Sequence, residues 1–128
     1  MGTGTGIGRV RGLGSAKSGA HHWWLQRVTA TGNIALMLWF VISLLRLPSL
    51  DHATVVHWIA APIVALPLLL LVLSVFWHFR LGLQVFVEDY VHTEGLKLGA
   101  LIALNFYTIG GAAVAVFSIL KIAFGVPA

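Results

Sequence analysis

A histidine and an arginine, His78 and Arg80, interrupt an apolar stretch that ends only at Glu88 and Asp89. A charge held near the centre of a bilayer costs at least about 2.5–3.5 kcal/mol on insertion scales, so such side chains turn toward protein, cofactor or water. Three roles are open to His78: axial ligand to a haem iron, proton relay, or neutral imidazole hydrogen-bonded between helices. Gly82, Val85 and Asp89 follow it at i+4, i+7 and i+11, along one side of a helix. Gly82 lacks the side chain that would keep a flat macrocycle or another helix away. Arg80 points elsewhere and could meet a carboxylate, a propionate or a lipid phosphate.

Asp89 and Tyr90 fall at the expected membrane–water boundary. A phenol there can donate a hydrogen bond to a quinone carbonyl, and a carboxylate can assist proton delivery; an interfacial tyrosine can equally be a plain anchor. Arg27 lies just ahead of the first apolar run, within reach of a phosphate or a haem propionate. The adjacent pair His21 and His22 is not a strong metal motif, because neighbouring helical side chains diverge and no third ligand has suitable spacing, and it reads as solvated or in contact with lipid headgroups.

Composition says what must hold these residues. Hydrophobic residues make up 59% of the 128 and charged residues 9%, against roughly a quarter charged in soluble globular proteins. Too little polar surface remains to coat a water-soluble domain, so burial in lipid is expected. There is no cysteine, which excludes disulfides, a thiolate-held iron–sulfur cluster and a thiol nucleophile within this sequence. The net charge of +4 is thinly spread and reads as a topology signal; no nucleic-acid partner is implied.

The pattern predicts an all-α integral membrane protein with three transmembrane helices, over about 28–47, 58–87 and 98–124. The connection from Arg46 to His57 contains Pro48 and Asp51, which favour a turn. The second span is longer than the ~30 Å hydrocarbon core and must tilt or protrude, and Pro62 and Pro67 in its early turns are tolerable in a membrane. Residues 1–20 read as a flexible Gly-rich tail, whose glycines match neither dinucleotide nor phosphate-loop spacing, and 21–128 as the anchor domain. Arg9, Arg11, Lys17 and Arg27 ahead of the first span argue for an N-terminus on the cytoplasmic or matrix side, with the C-terminus on the opposite side. Trp23, Trp24, Trp58 and Tyr90 fit the two interfacial belts. Gly95, Gly99 and Ala103, then Gly110, Gly111 and Ala115, imply close packing by the third span.

The predicted first and third spans hold no histidine, and His57 would lie ~31 Å along the same helix from His78. A bis-histidine haem site therefore needs its second imidazole from another polypeptide.

Two segments carry a family resemblance: H-H-W-W-L-Q-R-V-T-A at His21 to Ala30, and W-H-F-R-L-G-L-Q-V-F-V-E-D-Y-V-H at Trp77 to His92. Both resemble the small hydrophobic membrane anchor of succinate dehydrogenase (complex II) of the alphaproteobacterial and mitochondrial type, from about Ser18 onward, with H-x3-G-x6-D-Y as the strongest feature. The resemblance implies that His78 is the axial ligand to haem b and haem iron, shared with a second hydrophobic anchor subunit (cytochrome b556-like) in a heterodimeric helical anchor. It implies that Tyr90 hydrogen-bonds ubiquinone, that Asp89 lies near the quinone, and that Arg27 approaches a haem propionate. It further implies a flavoprotein subunit that oxidises succinate, an iron–sulfur subunit that passes electrons on, and a place in the respiratory chain and tricarboxylic acid cycle. No catalytic residue is expected in this chain alone. Phe79, Arg80 and Glu88 depart from the enterobacterial pattern. An anchor of fumarate reductase and a cofactor-free membrane assembly protein are the competing readings.

Overall fold

A computed structural model describes residues 18–125 of the chain. Four helices follow in order: α1 (Gly19–Leu45), α2 (His52–Ala60), α3 (Pro62–Tyr90) and α4 (Glu94–Gly125). The chain is an all-helical integral membrane protein, in which α1, α3 and α4 are long and apolar enough to cross a membrane. The 29 residues of α3 extend to about 43 Å, beyond the ~30 Å hydrocarbon core.

The first helix starts nine residues earlier than expected, so the segment with His21, His22, Trp23 and Trp24 is helical and continuous with the first span. The expected Gly-rich tail lies, through residue 17, outside the described residues; Ser18 stands at the N-cap position, and Gly19 and Ala20 open α1.

The expected second span is divided. Ala61 is extended, at φ −68° and ψ 125°, because the ring of Pro62 crowds the preceding residue out of the α region. Pro62 itself suits the first turn of α3, where its missing N–H leaves no bond unmade. His57 and Trp58 thus belong to the separate helix α2, and His57 is not on the helix that carries His78. α2 is capped by Asp51, which accepts from the Thr54 amide at 3.1 Å and the Thr54 hydroxyl at 2.7 Å, and also from the Ser49 hydroxyl. Such a cap satisfies amides that a helix start otherwise leaves free.

The long helices do not form a closed three-way bundle. α3 is central: α1 packs on one side and α4 on another, with no Cα of α1 within 8 Å of one in α4 among the described residues. α2 lies against α3 and α4. Accordingly α3 contributes most buried side chains, Val64, Ala65, Leu68, Leu71 and Leu81, whereas α1 contributes none. One apolar cluster, Ala65, Leu68, Leu71 and Ile119, joins α3 to α4, with Leu36 and Phe40 of α1 and Ile59 of α2 packed around it. Trp58 stacks on Trp39 (centroids 6.4 Å apart) and meets Phe40 at 6.0 Å, so it ties α2 to the end of α1.

Among the α4 glycines, Gly111 is the crowded one. A Cβ there would stand 2.6 Å from Phe76 Cε1, while Gly95, Gly99 and Gly110 face open space. The close α3–α4 approach is therefore set at Phe76 and Gly111.

Candidate functional site

His78 sits half-buried on α3, facing α1. Its Nδ1 lies 3.0 Å from Thr29 Oγ1, and no hydrogen bond from the described residues reaches Nε2. Thr29 Oγ1 in turn donates to the carbonyls of Leu25 at 2.8 Å and Gln26 at 3.1 Å, the back-bonding open to a helical threonine. One turn along each helix, Gly32 of α1 faces Ser74 of α3: a Cβ there would be 3.9 Å from Ser74 Oγ, an ordinary contact. Thr29 lies opposite His78 in the same antiparallel register.

Gly82 stands one turn beyond His78, and a Cβ added to it would meet nothing within 4 Å. A half-buried imidazole with one free nitrogen, beside an open strip of helix surface, fits a flat macrocycle bound through iron. No group of three or more His, Asp or Glu side chains is gathered to hold a metal ion among the described residues. Among the described residues, His78 thus stands with no ligand cluster gathered beside it.

Arg80 takes the other direction. Its Nε donates to Asn105 Oδ1 of α4 at 2.6 Å, its guanidinium lies 5.4 Å from the centre of the Trp77 ring, and Asn105 Nδ2 donates to the Leu101 carbonyl at 2.8 Å. A cation inside the span is thereby held by an amide dipole and an aromatic face. Below it, Tyr107 packs between Phe76 and Phe79, at 6.4 and 5.9 Å.

Tyr90 and Asp89 end α3 and are both exposed; Tyr90 is 70% exposed and stacks on Phe86 at 4.8 Å. They stand twelve and eleven residues beyond His78, about 16–18 Å along the axis. Arg27 is also exposed, with its guanidinium 5.3 Å from the centre of the Trp23 ring. Thr29 comes two residues later, about 200° around α1, so the structure brings Thr29 and not Arg27 to His78. Near the same end, a cavity of about 370 Å³ opens between the start of α1 and the end of α3, lined by His22, Gln26, Gln84 and Glu88 among others. His22 Nε2 is enclosed there with no hydrogen-bond partner among the described residues.

Two partners escaped the sequence reading. Thr29 was one of several polar residues in the first span, and only the T of R-x-T-A marked it. Asn105 had a usable signal, since it lies nearly as far from the start of α4 as Arg80 lies from the end of α3, about 15–17 Å in each case.

Residues 1–119 match the family described as succinate dehydrogenase/fumarate reductase transmembrane subunit. The chain is 37% identical over 103 residues to the succinate dehydrogenase hydrophobic membrane anchor subunit of Rickettsia bellii (strain RML369-C), covering 80% of this chain and 82% of that protein. It is 32% identical over 104 residues to the protein of the same description from Rickettsia conorii (strain ATCC VR-613 / Malish 7), again over 80% and 82%. With the succinate dehydrogenase membrane anchor subunit of Reclinomonas americana it shares 28% over 96 residues, 73% of this chain and 80% of that one.

Proposed function

The chain belongs to the succinate dehydrogenase/fumarate reductase transmembrane subunit family, and from that premise we propose that it anchors a succinate:ubiquinone oxidoreductase in the bacterial inner membrane and supplies one axial ligand to a haem b shared with a second anchor subunit. The observation that carries this reading is His78: a half-buried imidazole in a lipid-spanning helix, with Nδ1 engaged by Thr29, Nε2 free, and open space at Gly82. Haem, when bound, supplies a one-electron relay inside the membrane.

The second imidazole comes from the companion subunit, the arrangement that the family resemblance implies; α4 itself carries no histidine. The open sides of α1 and α4 leave apolar surface for that subunit and for lipid. Tyr90 donates a hydrogen bond to a ubiquinone carbonyl at the boundary, where its exposed hydroxyl is available; Asp89 lies beside that site, and Arg27 pairs with a haem propionate after leaving the Trp23 ring. Succinate oxidation and the passage of electrons to the membrane belong to a flavoprotein and an iron–sulfur subunit. The basic residues before α1 put the N-terminus on the cytoplasmic side and the C-terminus on the periplasmic side.

Co-expression with the companion anchor and the two peripheral subunits tests the reading. The purified complex is expected to show a reducible b-type haem band, and His78→Ala to abolish it. A band unchanged by that substitution refutes the ligand assignment.

A further inference from the structure

Thr29 Oγ1 has one hydrogen, and the two helix carbonyls it reaches, Leu25 O at 2.8 Å and Gln26 O at 3.1 Å, are acceptors only. With that hydrogen directed along its own helix, the hydroxyl presents a lone pair to His78 Nδ1 at 3.0 Å. The contact is a hydrogen bond only if Nδ1 carries the proton, and a neutral imidazole protonated at Nδ1 has its lone pair on Nε2. The opposite tautomer would pull the Thr29 hydroxyl off both carbonyls and leave an Nε2–H with no acceptor among the described residues.

We propose that Thr29 is the positioning residue for His78, fixing the Nδ1–H tautomer and the ring plane so that Nε2 is bare for iron before the haem arrives. This inference rests on His78 being the axial ligand and adds what sets its chemical form. The setting is rigid. Bonds to two carbonyls hold the hydroxyl against α1, and Gly32 and Ser74 face each other across the two helices one turn away. A partner on the far nitrogen of a ligating histidine orients the ring and raises its basicity, which favours ferric over ferrous iron. Thr29 therefore lowers the potential of the haem, by less than a carboxylate in its place would, since the acceptor is a neutral hydroxyl.

The test uses the assembled four-subunit complex with Thr29→Val, which keeps the shape and removes the hydroxyl, and Thr29→Ser, which keeps the hydroxyl. Haem content, haem midpoint potential and the low-spin ferric EPR signal are read in each. The valine complex is expected to have a raised potential, shifted EPR g-values and haem affinity lower by on the order of tenfold, and the serine complex to stay close to the parent. A valine complex with the parent potential and EPR signal overturns the proposal, as does a serine complex shifted as far as the valine one. His78→Ala separates the two levels: a surviving haem band removes the ligand reading itself, whereas a lost band together with an unshifted valine potential removes only the role of Thr29. Should the valine complex fail to assemble, ¹⁵N spectra of the histidine-labelled full chain in bilayers decide. Protonation of His78 at Nδ1 is expected, and protonation at Nε2 overturns the proposal.

Discussion

His78 and Arg80 stand two residues apart on α3 and take their partners from different neighbours: His78 Nδ1 lies 3.0 Å from Thr29 Oγ1 of α1, and Arg80 Nε donates to Asn105 Oδ1 of α4 at 2.6 Å. A two-residue step turns about 200° around a helix. One side of the central helix thus carries a free imidazole nitrogen, while the other carries a cation already engaged within the chain. These two ionisable residues of α3 have separate partners, and each can be tested without the other.

The Arg80–Asn105 pair is expected to stabilise the α3–α4 packing. A double-mutant cycle with Arg80→Met and Asn105→Leu, followed by denaturation of the protein in bicelles, should return a coupling of about 0.5–1.5 kcal/mol, the range of interhelical hydrogen bonds in membranes. Additive single substitutions would remove the pair from the stabilising contacts. The haem band should survive both changes, since neither residue touches His78.

Gly110 and Gly111 are neighbours with different surroundings, and their alanine variants should differ. Gly111→Ala places a methyl group 2.6 Å from the Phe76 ring, and overpacking of that kind costs about 1–3 kcal/mol. Gly110→Ala meets nothing within 4 Å and should leave the stability of the isolated chain unchanged. Adding Phe76→Leu to the Gly111 variant should recover part of the loss. Thermal denaturation in detergent measures all three, and equal effects at the two glycines would contradict the packing.

At Tyr90 the ring and the hydroxyl can be separated. Tyr90→Phe keeps the stack on Phe86 and removes only the group proposed to bind quinone. Assembly and the haem band should be retained while succinate-to-ubiquinone turnover falls about three- to tenfold, the effect of one neutral hydrogen bond. Quinone kinetics equal to the parent's would leave Tyr90 as an interfacial anchor.

Asp51 gives α2 a pH response. Hydrogen bonds from the Ser49 hydroxyl and from the Thr54 hydroxyl and amide hold its carboxyl well below the usual carboxylate range. A carboxyl with a lowered folded pKa stabilises the cap fully above its unfolded value of about 4, and that contribution is lost as the pH falls further toward the folded value. The Trp58–Trp39 stack should accordingly loosen on acidification below about pH 4, visible as a change in tryptophan fluorescence. Asp51→Ala should show the loosened signal at neutral pH, and Asp51→Asn, another good cap, should retain the stacked signal with a weaker response to acid. A cap variant with the parent fluorescence throughout would detach α2 stability from Asp51.

Much of the fold was legible in the residues alone. Apolar runs from Val28, from Trp58 to Val87, and from Leu98 pointed to lipid-spanning helices, and His78 and Arg80 stood out because ionisable groups are costly there. The second span was expected to end at Val87; α3 runs three residues further and takes in the D-Y pair. The division of the second run at Ala61 was signalled by Pro62, but a proline in a membrane helix is also compatible with an unbroken span. The extended backbone of Ala61 and the packing of α2 on α3 and α4 decided between the two.

Hydropathy is a local property, so the sequence by itself determined how many helices lie in the membrane and which residues are expensive to place there. The partners of those residues depend on how each helix is rotated and slid against the next, which spacing along one segment does not encode. Only the tertiary structure put α3 between α1 and α4, turned His78 to Thr29 and Arg80 to Asn105, and left Arg27 against Trp23. The physical reason is that a helix presents its side chains around a full turn every 3.6 residues, and packing, as at Gly111 and Phe76 between α3 and α4, selects which of them meet.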